Sequence, residues 1–272
     1  MESKLRSTPT LQHSGIPLPS SRHRFHAPPE RCRGTTLSLT GQEAQHALRV
    51  RRVRPGEQVV VLDGAGSELI CEVRDCRRDS VELAVTQKRF VPPLPYRITL
   101  LQAVPKGRTV ESIIQKATEL GVHRVVPVLS NRVTTRLDAG SAAHKADKLQ
   151  RVAIEAVKQC GSAWLPQIEL PMSPRAFLAR KEKFDLPLIA SLLPGTRHAR
   201  EYFQMFQSEH GRKPESVCVW IGPEGDFTPE EIRAIQAEGA LPITLGPLVL
   251  RSETAAVYCL SILTHELRAP AP

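Results

Sequence analysis

Two stretches of the chain place glycine, proline and charged residues directly after apolar runs. They read IGPEGDFT at residues 221–228 and LGPLVLRSETAA at residues 245–256, and a less specific third, SLLPG, spans residues 191–195. Glycine lets bare backbone approach a ligand, and ligands of open α/β sheets bind at the carboxyl ends of the strands. Tight turns would explain any one stretch alone. The three stretches together predict a binding site, and we call them the first (191–195), second (221–228) and third (245–256) loops.

The residues after the second loop disfavour phosphate as the ligand. Thr228 can cap a helix, Pro229 suits the first helical position, and Glu231 completes a capping box with Thr228. Glu230 and Glu231 already occupy the positive end of the helix dipole, so a phosphate there would be repelled. Exposed backbone groups between apolar walls suit an adenine ring and a thioether chain better than a polyphosphate. The third loop supplies apolar side chains, namely Leu245, Leu248 and Leu250.

These loops require a parallel sheet to position them, and the second part of the chain has that pattern. Strand-like and helix-like segments alternate after residue 96, which predicts an α/β domain with helices on both faces. The predicted strands are RITLLQAV, HRVVPVLS, LPLIASL, VCVWIG and LPITLG. The final helix, SETAAVYCLSILTHEL, is apolar nearly all round, so either its own domain or a second subunit must cover it.

A helix over about residues 142–160 is predicted from its periodicity. The apolar face is formed by Leu149, Val152, Ala153, Ala156, Val157 and Cys160. The opposite side carries charged residues, namely Lys148, Arg151, Glu155 and Lys158.

Short alternating runs separated by turn residues precede the α/β pattern. EQVVVLD, ELICEVRD and VELAVTQ predict a β-meander consistent with a small barrel, preceded by a short helix at GQEAQHALRV. The predicted organisation is a disordered Ser- and Pro-rich tail at 1–22, a β-rich domain at 23–90, a stiff proline-rich linker at 91–96 and an α/β domain at 97–268. A transit peptide at 1–22 is the weaker interpretation, because Glu2 and the prolines do not fit one.

The charge of the chain indicates an anionic partner. Its 272 residues carry a net charge of +9, although a merely basic surface is the alternative. Phosphate contacts are the expected use of the arginines crowded at the start of the β-rich domain, namely Arg22, Arg24, Arg31, Arg33, Arg49, Arg51, Arg52 and Arg54. Three basic residues in later loops could extend this track, namely Lys106, Arg108 and Arg132.

The cysteines and the hydropathy of the chain indicate a cellular compartment and argue against metal sites and membrane spans. The six cysteines form no CxxC pair and no metal-ligand spacing, so we expect no metal. Four of them lie in apolar runs, as buried free thiols do, which fits a reducing cytoplasm. No apolar stretch reaches the roughly 20 residues that span a bilayer, so no membrane partner is expected.

The second and third loops together resemble the paired motifs of the SPOUT class of RNA methyltransferases, and more specifically the RsmE family. That family comprises the 16S ribosomal RNA uridine-N3 methyltransferases. HALRVRRVRPGE (46–57), IIQKATELGV (113–122) and EAVKQCG (155–161) are also similar to its pattern, so the resemblance covers about residues 22–268.

The resemblance implies a fold, a reaction and a set of cofactor contacts. It implies a PUA-like β-barrel for RNA binding, followed by an α/β domain tied in a deep trefoil knot. It also implies S-adenosylmethionine as methyl donor, S-adenosylhomocysteine as product, the small ribosomal subunit as substrate and a homodimer through the knotted domain. The implied cofactor contacts are Leu192, Gly222, Pro223, Glu224, Gly225, Leu245, Gly246, Leu248, Leu250, Arg251, Thr254 and Ala255.

Two positions depart from the family's pattern, and the catalytic residues are inferred from chemistry. Asp226 stands where the family usually has a second glycine, and Ser162 where it often has arginine. Methylation of uracil N3 develops negative charge on the carbonyls, so Arg251 is the candidate to stabilise it, with Glu253 as its orienter or a weak base. A structural contact of Arg251 is the alternative. A transfer RNA methyltransferase and a non-enzymatic RNA-binding assembly factor remain the alternative functions.

Overall fold

The computed structural model describes residues 23–105, 109–132, 139–193 and 195–268. Two sheets organise these residues, one built from strands within 24–90 and the other from strands within 97–243. Residues 91–96 lie between them. None of the helices in the described ranges is long and apolar enough to cross a membrane.

The first sheet is a curled five-stranded sheet in the order β1-β3-β4-β5-β2. Strand β1 pairs with β3 in parallel, and the other neighbours are antiparallel. The meander β3-β4-β5 follows from the alternating runs, whose inward side chains form one core around Phe25, Leu69 and Val73. The strands are β1 (Arg24–His26), β2 (Thr36–Thr40), β3 (Gln58–Leu62), β4 (Ser67–Cys76) and β5 (Ser80–Phe90).

A helical segment between β2 and β3 carries several of the predicted arginines. It begins as helix α1 (Gly41–Gln45) and continues as one π-helical turn (His46–Arg51). The turn ends at Arg52, whose φ of 53° lies in the left-handed region. We call residues 41–52 the arginine-bearing segment. A single 3-10 turn (Pro29–Arg31) precedes β2.

The second sheet is parallel throughout and has the order β11-β9-β10-β6-β7-β8. Its central strands are almost completely buried, as expected for a parallel sheet covered on both faces. The strands are β6 (Arg97–Ala103), β7 (Arg124–Val128), β8 (Gln167–Ile168), β9 (Leu186–Ala190), β10 (Ser216–Ile221) and β11 (Leu241–Ile243).

Helices cover both faces of the second sheet, as predicted. Side chains of α2, α3, α5 and α7 share one core with the sheet, and those of α4 and α6 share a second core on the other face. The helices are α2 (Thr109–Glu119), α3 (Ala139–Cys160), α4 (Pro174–Leu178), α5 (Ala199–His210), α6 (Pro229–Ala237) and α7 (Ser252–Arg268). Helix α7 buries one face, and Tyr258 on another is 44% exposed.

Helix α3 differs from its predicted pattern near its carboxyl end. Lys158, predicted on the charged outer side, is buried, and Cys160, predicted on the apolar face, is exposed. The reason is that this end of α3 packs against the first sheet, so a second surface of the helix is covered. Val157 of α3 lies in a small apolar cluster with Val60 and Leu62 of β3. Four cysteines are buried as free thiols, namely Cys32, Cys71, Cys218 and Cys259.

Backbone hydrogen bonds also join the two parts of the chain, namely the part that carries the first sheet and the part that carries the second sheet. The Gly66 amide donates to the Ala163 carbonyl at 2.9 Å, and the Leu165 amide donates to the Gly64 carbonyl at 2.9 Å. Gly66 has φ +98°, and a Cβ there would lie 2.6 Å from the ring of Trp164. Only glycine fits this position, because both its backbone conformation and its space exclude a side chain.

Candidate functional site

The three loops predicted to bind a ligand leave adjacent strands of the second sheet. Strand β9 lies between β11 and β10, with Ala190 paired to Ile243 and Ile189 paired to Trp220. Neighbouring strands are about 4.8 Å apart, so the three carboxyl ends lie side by side within about 10 Å. The prediction that the loops converge on one edge is confirmed.

The loops enclose a cleft of about 260 Å³. Nine of the twelve predicted ligand-binding residues line it, namely Leu192, Gly222, Pro223, Glu224, Leu245, Gly246, Leu248, Leu250 and Ala255. The other three lie beside the cleft in the chain without lining it, namely Gly225, Arg251 and Thr254. The lining also includes the half-buried Asp226 and the buried Ser252.

Exposed apolar side chains form the lips of this cleft. Leu192 of the first loop is 62% exposed, and Leu248 and Val249 of the third loop are 73% and 74% exposed. A cluster of exposed large apolar side chains beside a cleft indicates a surface that a ligand or a partner covers.

The charges that line the cleft are negative. Among the described residues that line it, the charged ones are Glu224 and Asp226. Lysine and arginine are absent from this described lining, so the cleft lacks the cations that hold a polyphosphate. The arrangement favours a ligand with a large apolar part and a positive charge.

The second loop turns sharply at Asp226, one of the two departures from the family's pattern. Asp226 has φ 61°, its amide donates to the Pro223 carbonyl at 2.9 Å, and its Oδ1 accepts from the Phe227 amide at 2.7 Å. Glycine adopts this left-handed conformation without strain, whereas aspartate adopts it with help from a local hydrogen bond. The loop shape that a glycine would give is therefore retained.

A buried chain of hydrogen bonds connects the second loop, the start of α7 and the end of β6. The Ser252 hydroxyl donates to the Gly222 carbonyl at 2.8 Å, and the Gln102 Nε2 donates to the Ser252 Oγ at 2.9 Å. Gln102 Nε2 also donates to the Ala103 carbonyl at 2.9 Å. The hydrogen bond between Gln102 and Ser252 was not predicted from the sequence. A polar Gln102 inside the apolar run of β6 was the available signal that this position has a special contact.

The outer side of the second loop is held by the segment after β7. The Arg132 guanidinium donates to the Gly225 carbonyl, and the Asn131 amide donates to Glu231 Oε1 at 2.8 Å. The predicted capping box of α6 is also present, since the Glu231 amide donates to Thr228 Oγ1 and Glu231 Oε2 accepts from the Thr228 amide. Glu231 thus caps α6 and holds residues 131–132 against the loop.

Replacing Glu231 with alanine should lower the free energy of unfolding by roughly 2–3 kcal/mol, because two backbone amides lose their acceptor at a buried position. Urea denaturation followed by tryptophan fluorescence would measure the change. The matched control is Glu230→Ala, because the neighbouring Glu230 side chain is 72% exposed and its ion pair is with the equally exposed Arg233. The control should leave the midpoint nearly unchanged, and an equal loss in both variants would contradict the role given to Glu231.

The two predicted catalytic residues stand at the start of α7. Arg251 is exposed and Glu253 is half-buried, and no hydrogen bond or ion pair joins either side chain to another described residue. The Arg251 carbonyl accepts from the Ala255 amide at 2.8 Å, so its backbone is fixed by the first turn of the helix. Arg251 precedes Ser252, whose side chain lines the cleft. The guanidinium is thus available to a substrate next to the cleft.

The described residues among those predicted to bind phosphate fall into three groups, and a fourth group lies outside the described ranges. Arg24 Nη1 donates to the carbonyls of Lys158 and Gln159 at 3.4 and 3.2 Å, so its guanidinium caps α3. Exposed side chains on the arginine-bearing segment are Arg49, Arg51 and Arg52. Arg132 is exposed beside the second loop. Outside the described residues lie Arg22, Lys106 and Arg108.

Ser162, the second departure from the family's pattern, closes a local turn. Its hydroxyl donates to the Trp164 carbonyl at 2.9 Å and accepts from the Trp164 amide at 3.1 Å. These bonds position the segment that meets Gly64 and Gly66 of the first sheet. Serine therefore has a structural function here that a long arginine side chain could not reproduce.

Two family models match this architecture. Residues 92–264 match an RNA methyltransferase domain, and residues 39–86 match the PUA domain of RNA methyltransferases. The first match covers more than half of the chain. The fold and the site therefore define an RNA methyltransferase with a PUA domain.

Comparison with individual proteins narrows the family. The chain is 30% identical to the ribosomal RNA small subunit methyltransferase E of Bacillus subtilis, covering 85% of this chain and 90% of that protein. It is 32% identical to the protein of the same name from Aquifex aeolicus, covering 89% and 99%. The chain belongs to the ribosomal RNA small subunit methyltransferase E family.

Solved structures agree with this family. A Legionella pneumophila protein in complex with the bound cofactor SAM aligns with a TM-score of 0.81 at 32% identity, covering 89% of this chain and 96% of that one. The ribosomal RNA small subunit methyltransferase E from Neisseria gonorrhoeae, bound to S-adenosyl methionine, aligns with a TM-score of 0.78 at 26% identity, covering 90% and 97%.

Proposed function

We propose that this protein transfers the methyl group of S-adenosylmethionine to N3 of a uridine in 16S ribosomal RNA of the small subunit. The observation that carries the proposal is the apolar, negatively charged cleft formed by three loops at one edge of the second sheet. Membership of the ribosomal RNA small subunit methyltransferase E family supports the reaction and the RNA substrate. The uridine and its N3 position come from the resemblance in the two paired motifs.

The cleft fits S-adenosylmethionine by the chemistry of its lining. Leu245, Leu248 and Leu250 would hold the adenine ring and the thioether chain, with Leu192 on the opposite lip. The glycines at 222 and 246, which line the cleft, allow backbone groups to approach the cofactor. When bound, the cofactor supplies an electrophilic methyl group on a positively charged sulfur. S-adenosylhomocysteine is the product that leaves the same cleft.

The carboxylates of the cleft give a reason for its preference for a sulfonium. Glu224 and Asp226 place negative charge around the ligand, and an opposite charge nearby stabilises a cation more strongly in a partly desolvated site. The loss of the sulfonium charge in the product would weaken this attraction. Product release is thereby favoured over retention.

Arg251 is proposed as the catalytic cation. Uracil N3 carries a proton at neutral pH, and its removal spreads negative charge over the neighbouring carbonyls. The Arg251 guanidinium, on a backbone fixed beside the cleft, would stabilise that charge and orient the base. Glu253, two residues further along α7, is proposed to orient Arg251 once RNA is bound or to act as a weak base.

The RNA surface is proposed to run from the arginine-bearing segment to the second loop. Arg49, Arg51, Arg52 and Arg132 are exposed and suit contacts with phosphate groups. N3 lies on the Watson–Crick edge, so the target base must be unpaired or turned out of its stack before it reaches the cleft. Backbone contacts away from the cleft would hold the RNA while the base is extruded.

We also propose the domain boundaries, the knot and the dimer implied by the family. Residues 23–90 would act as the RNA-binding domain and residues 97–268 as the methyltransferase domain, with α7 closing the trefoil knot. A second copy would cover the exposed apolar lips of the cleft and the face of α7 that carries Tyr258. Analytical ultracentrifugation would test the dimer, and a monomer at micromolar concentration would overturn it. Because the proposed substrate is ribosomal, we also propose that the protein acts in the cytoplasm.

Methyl transfer from labelled S-adenosylmethionine tests the proposed function. The substrates are small ribosomal subunits that lack their own modification, naked 16S ribosomal RNA and transfer RNA, assayed side by side. The expected result is label recovered as N3-methyluridine from ribosomal RNA. Label on another nucleoside of 16S RNA would retain the reaction and refute the N3 position.

The other outcomes separate the alternative functions. Label in transfer RNA alone would retain the methyltransferase and change its substrate. Tight RNA binding with no label in any RNA, and no heat of binding with saturating S-adenosylmethionine, would favour a non-enzymatic assembly factor.

A further inference from the structure

A buried lysine joins the two parts of the chain. Lys158 lies near the end of α3, and its side chain, which ends in an ammonium group, is only 4% exposed. It donates to Glu43 Oε1 at 2.8 Å, to Glu155 Oε1 at 2.7 Å and to His46 Nδ1 at 3.1 Å. An ammonium has three N–H donors, and all three are used here.

The acceptors are arranged to receive a cation. Burial, with Lys158 as the next cause, lowers the pKa of His46, which favours the neutral ring whose Nδ1 can accept from the ammonium. Glu43 Oε2 accepts from the His26 amide at 3.1 Å, which fixes that carboxylate against β1. The Glu43, His46 and Glu155 ligand atoms lie within 4.8 Å of one another, a spacing that also suits a metal ion, but the ammonium already satisfies them.

Two of the three acceptors belong to the arginine-bearing segment. Glu43 lies in α1 and His46 opens the π-helical turn, and both are directed at Lys158. Arg49 and Arg51, in the same turn, are exposed. The segment therefore has one side fixed to the methyltransferase part and another side available for RNA. Arg24, which caps the end of α3, adds a further bond across the same junction.

We propose that Lys158 is a positioning residue for methyl transfer to RNA. By holding Glu43 and His46, it sets where the arginine-bearing segment lies relative to the cleft at the other end of the second sheet. This inference rests on the proposed function. Loss of the ammonium leaves two carboxylates close together without a cation, so the segment is released while the cleft, which Lys158 does not contact, keeps its shape.

The test compares Lys158→Met with Lys148→Met. Lys148 lies in the same helix and pairs with Glu111 of α2, so the control removes an ion pair that does not reach the first sheet. For Lys158→Met we expect kcat/KM for RNA to fall about tenfold, because a small misplacement far from the reacting atoms is costly, with the Kd for S-adenosylmethionine within about twofold of wild type. The control variant, Lys148→Met, should retain the wild-type kcat/KM for RNA and the wild-type Kd for S-adenosylmethionine.

Two further measurements separate positioning from general stability. Hydrogen exchange should accelerate in residues 41–52 of Lys158→Met and of the milder Glu43→Gln, and not in Lys148→Met. Because Glu43 and Lys158 act through one contact, the Glu43→Gln/Lys158→Met double variant should lose no more than about twofold in kcat/KM beyond Lys158→Met.

Three results would overturn the inference. They are unchanged RNA methylation in Lys158→Met, a parallel loss of cofactor affinity, and effects of the two substitutions that multiply fully in the double variant. If the wild type transfers no methyl group to any RNA, the proposed function fails instead. The exchange of residues 41–52 would then decide alone whether Lys158 holds the segment.

Discussion

Replacing Arg251 with alanine is expected to lower kcat for RNA methylation by about 10²–10³-fold, with little change in the Kd for S-adenosylmethionine. The exposed guanidinium has no hydrogen-bond or ion-pair partner among the described residues, and it adjoins Ser252 at the cleft. Its removal therefore leaves no unpaired buried partner behind. The stabilisation that is lost should be that of the transition state, in which negative charge develops on the uracil carbonyls. Single-turnover transfer at saturating cofactor and RNA would measure it.

Two companion variants make this prediction specific. Arg251→Lys keeps the charge without the planar fork, so its activity should fall between those of wild type and Arg251→Ala. Arg233→Ala is the control, because Arg233 is also an exposed arginine on a helix that follows one of the loops, α6, but pairs with Glu230 away from the cleft. It should methylate RNA at the wild-type rate. An Arg251→Ala protein with unchanged kcat, or one that loses cofactor binding alone, would show that Arg251 only supports the loop.

The position of the cleft could be predicted because its determinants are local in sequence. Each loop follows a continuous apolar run, and parallel strands bring their carboxyl ends to one edge whatever their order. The start of α6 was equally predictable, since Thr228, Pro229 and Glu231 form a capping box within four residues. Helix α5 carries a comparable signal in the spacing of Ala199, Tyr202, Phe203 and Phe206 before Gly211.

The contacts that hold the site depend instead on residues distant in the chain. Gln102 and Ser252 are 150 positions apart and meet only after β6 and α7 pack together. Lys158 has a charged neighbour pattern typical of a solvent-facing helix side, yet the arginine-bearing segment covers it through Glu43 and His46. Helical periodicity cannot distinguish water from a second domain as the environment of a polar face. The short strand β1 (Arg24–His26) is set by its pairing with β3, not by its own three residues.

Replacing Gly222 with alanine is expected to weaken S-adenosylmethionine binding by about 10–100-fold and to lower the free energy of unfolding by roughly 1–3 kcal/mol. A Cβ at this position would lie 2.7 Å from Asp226 Oδ1, 3.2 Å from Asp226 Cα and 3.3 Å from the Phe227 nitrogen. Asp226 Oδ1 cannot move away freely, because it accepts from the Phe227 amide at 2.7 Å. The loop must therefore shift, and the Gly222 carbonyl would leave Ser252. Calorimetric titration with S-adenosylmethionine and urea denaturation would measure the two effects.

The neighbouring glycine and a second-site change identify the cause. A Cβ at Gly225 would approach nothing closer than Arg132 Cδ at 3.6 Å, so Gly225→Ala should cost little stability. In Gly222→Ala, the further change Asp226→Gly removes the nearest obstructing atom and suits the φ of 61° at that position. The double variant should then recover part of the lost stability and affinity, but not all, because the Asp226 Cα and the Phe227 nitrogen remain close. Recovery of stability without recovery of affinity would indicate that the added Cβ also obstructs the cofactor directly. An unaffected Gly222→Ala protein would show that the second loop adapts and that the proposed cleft does not depend on its shape.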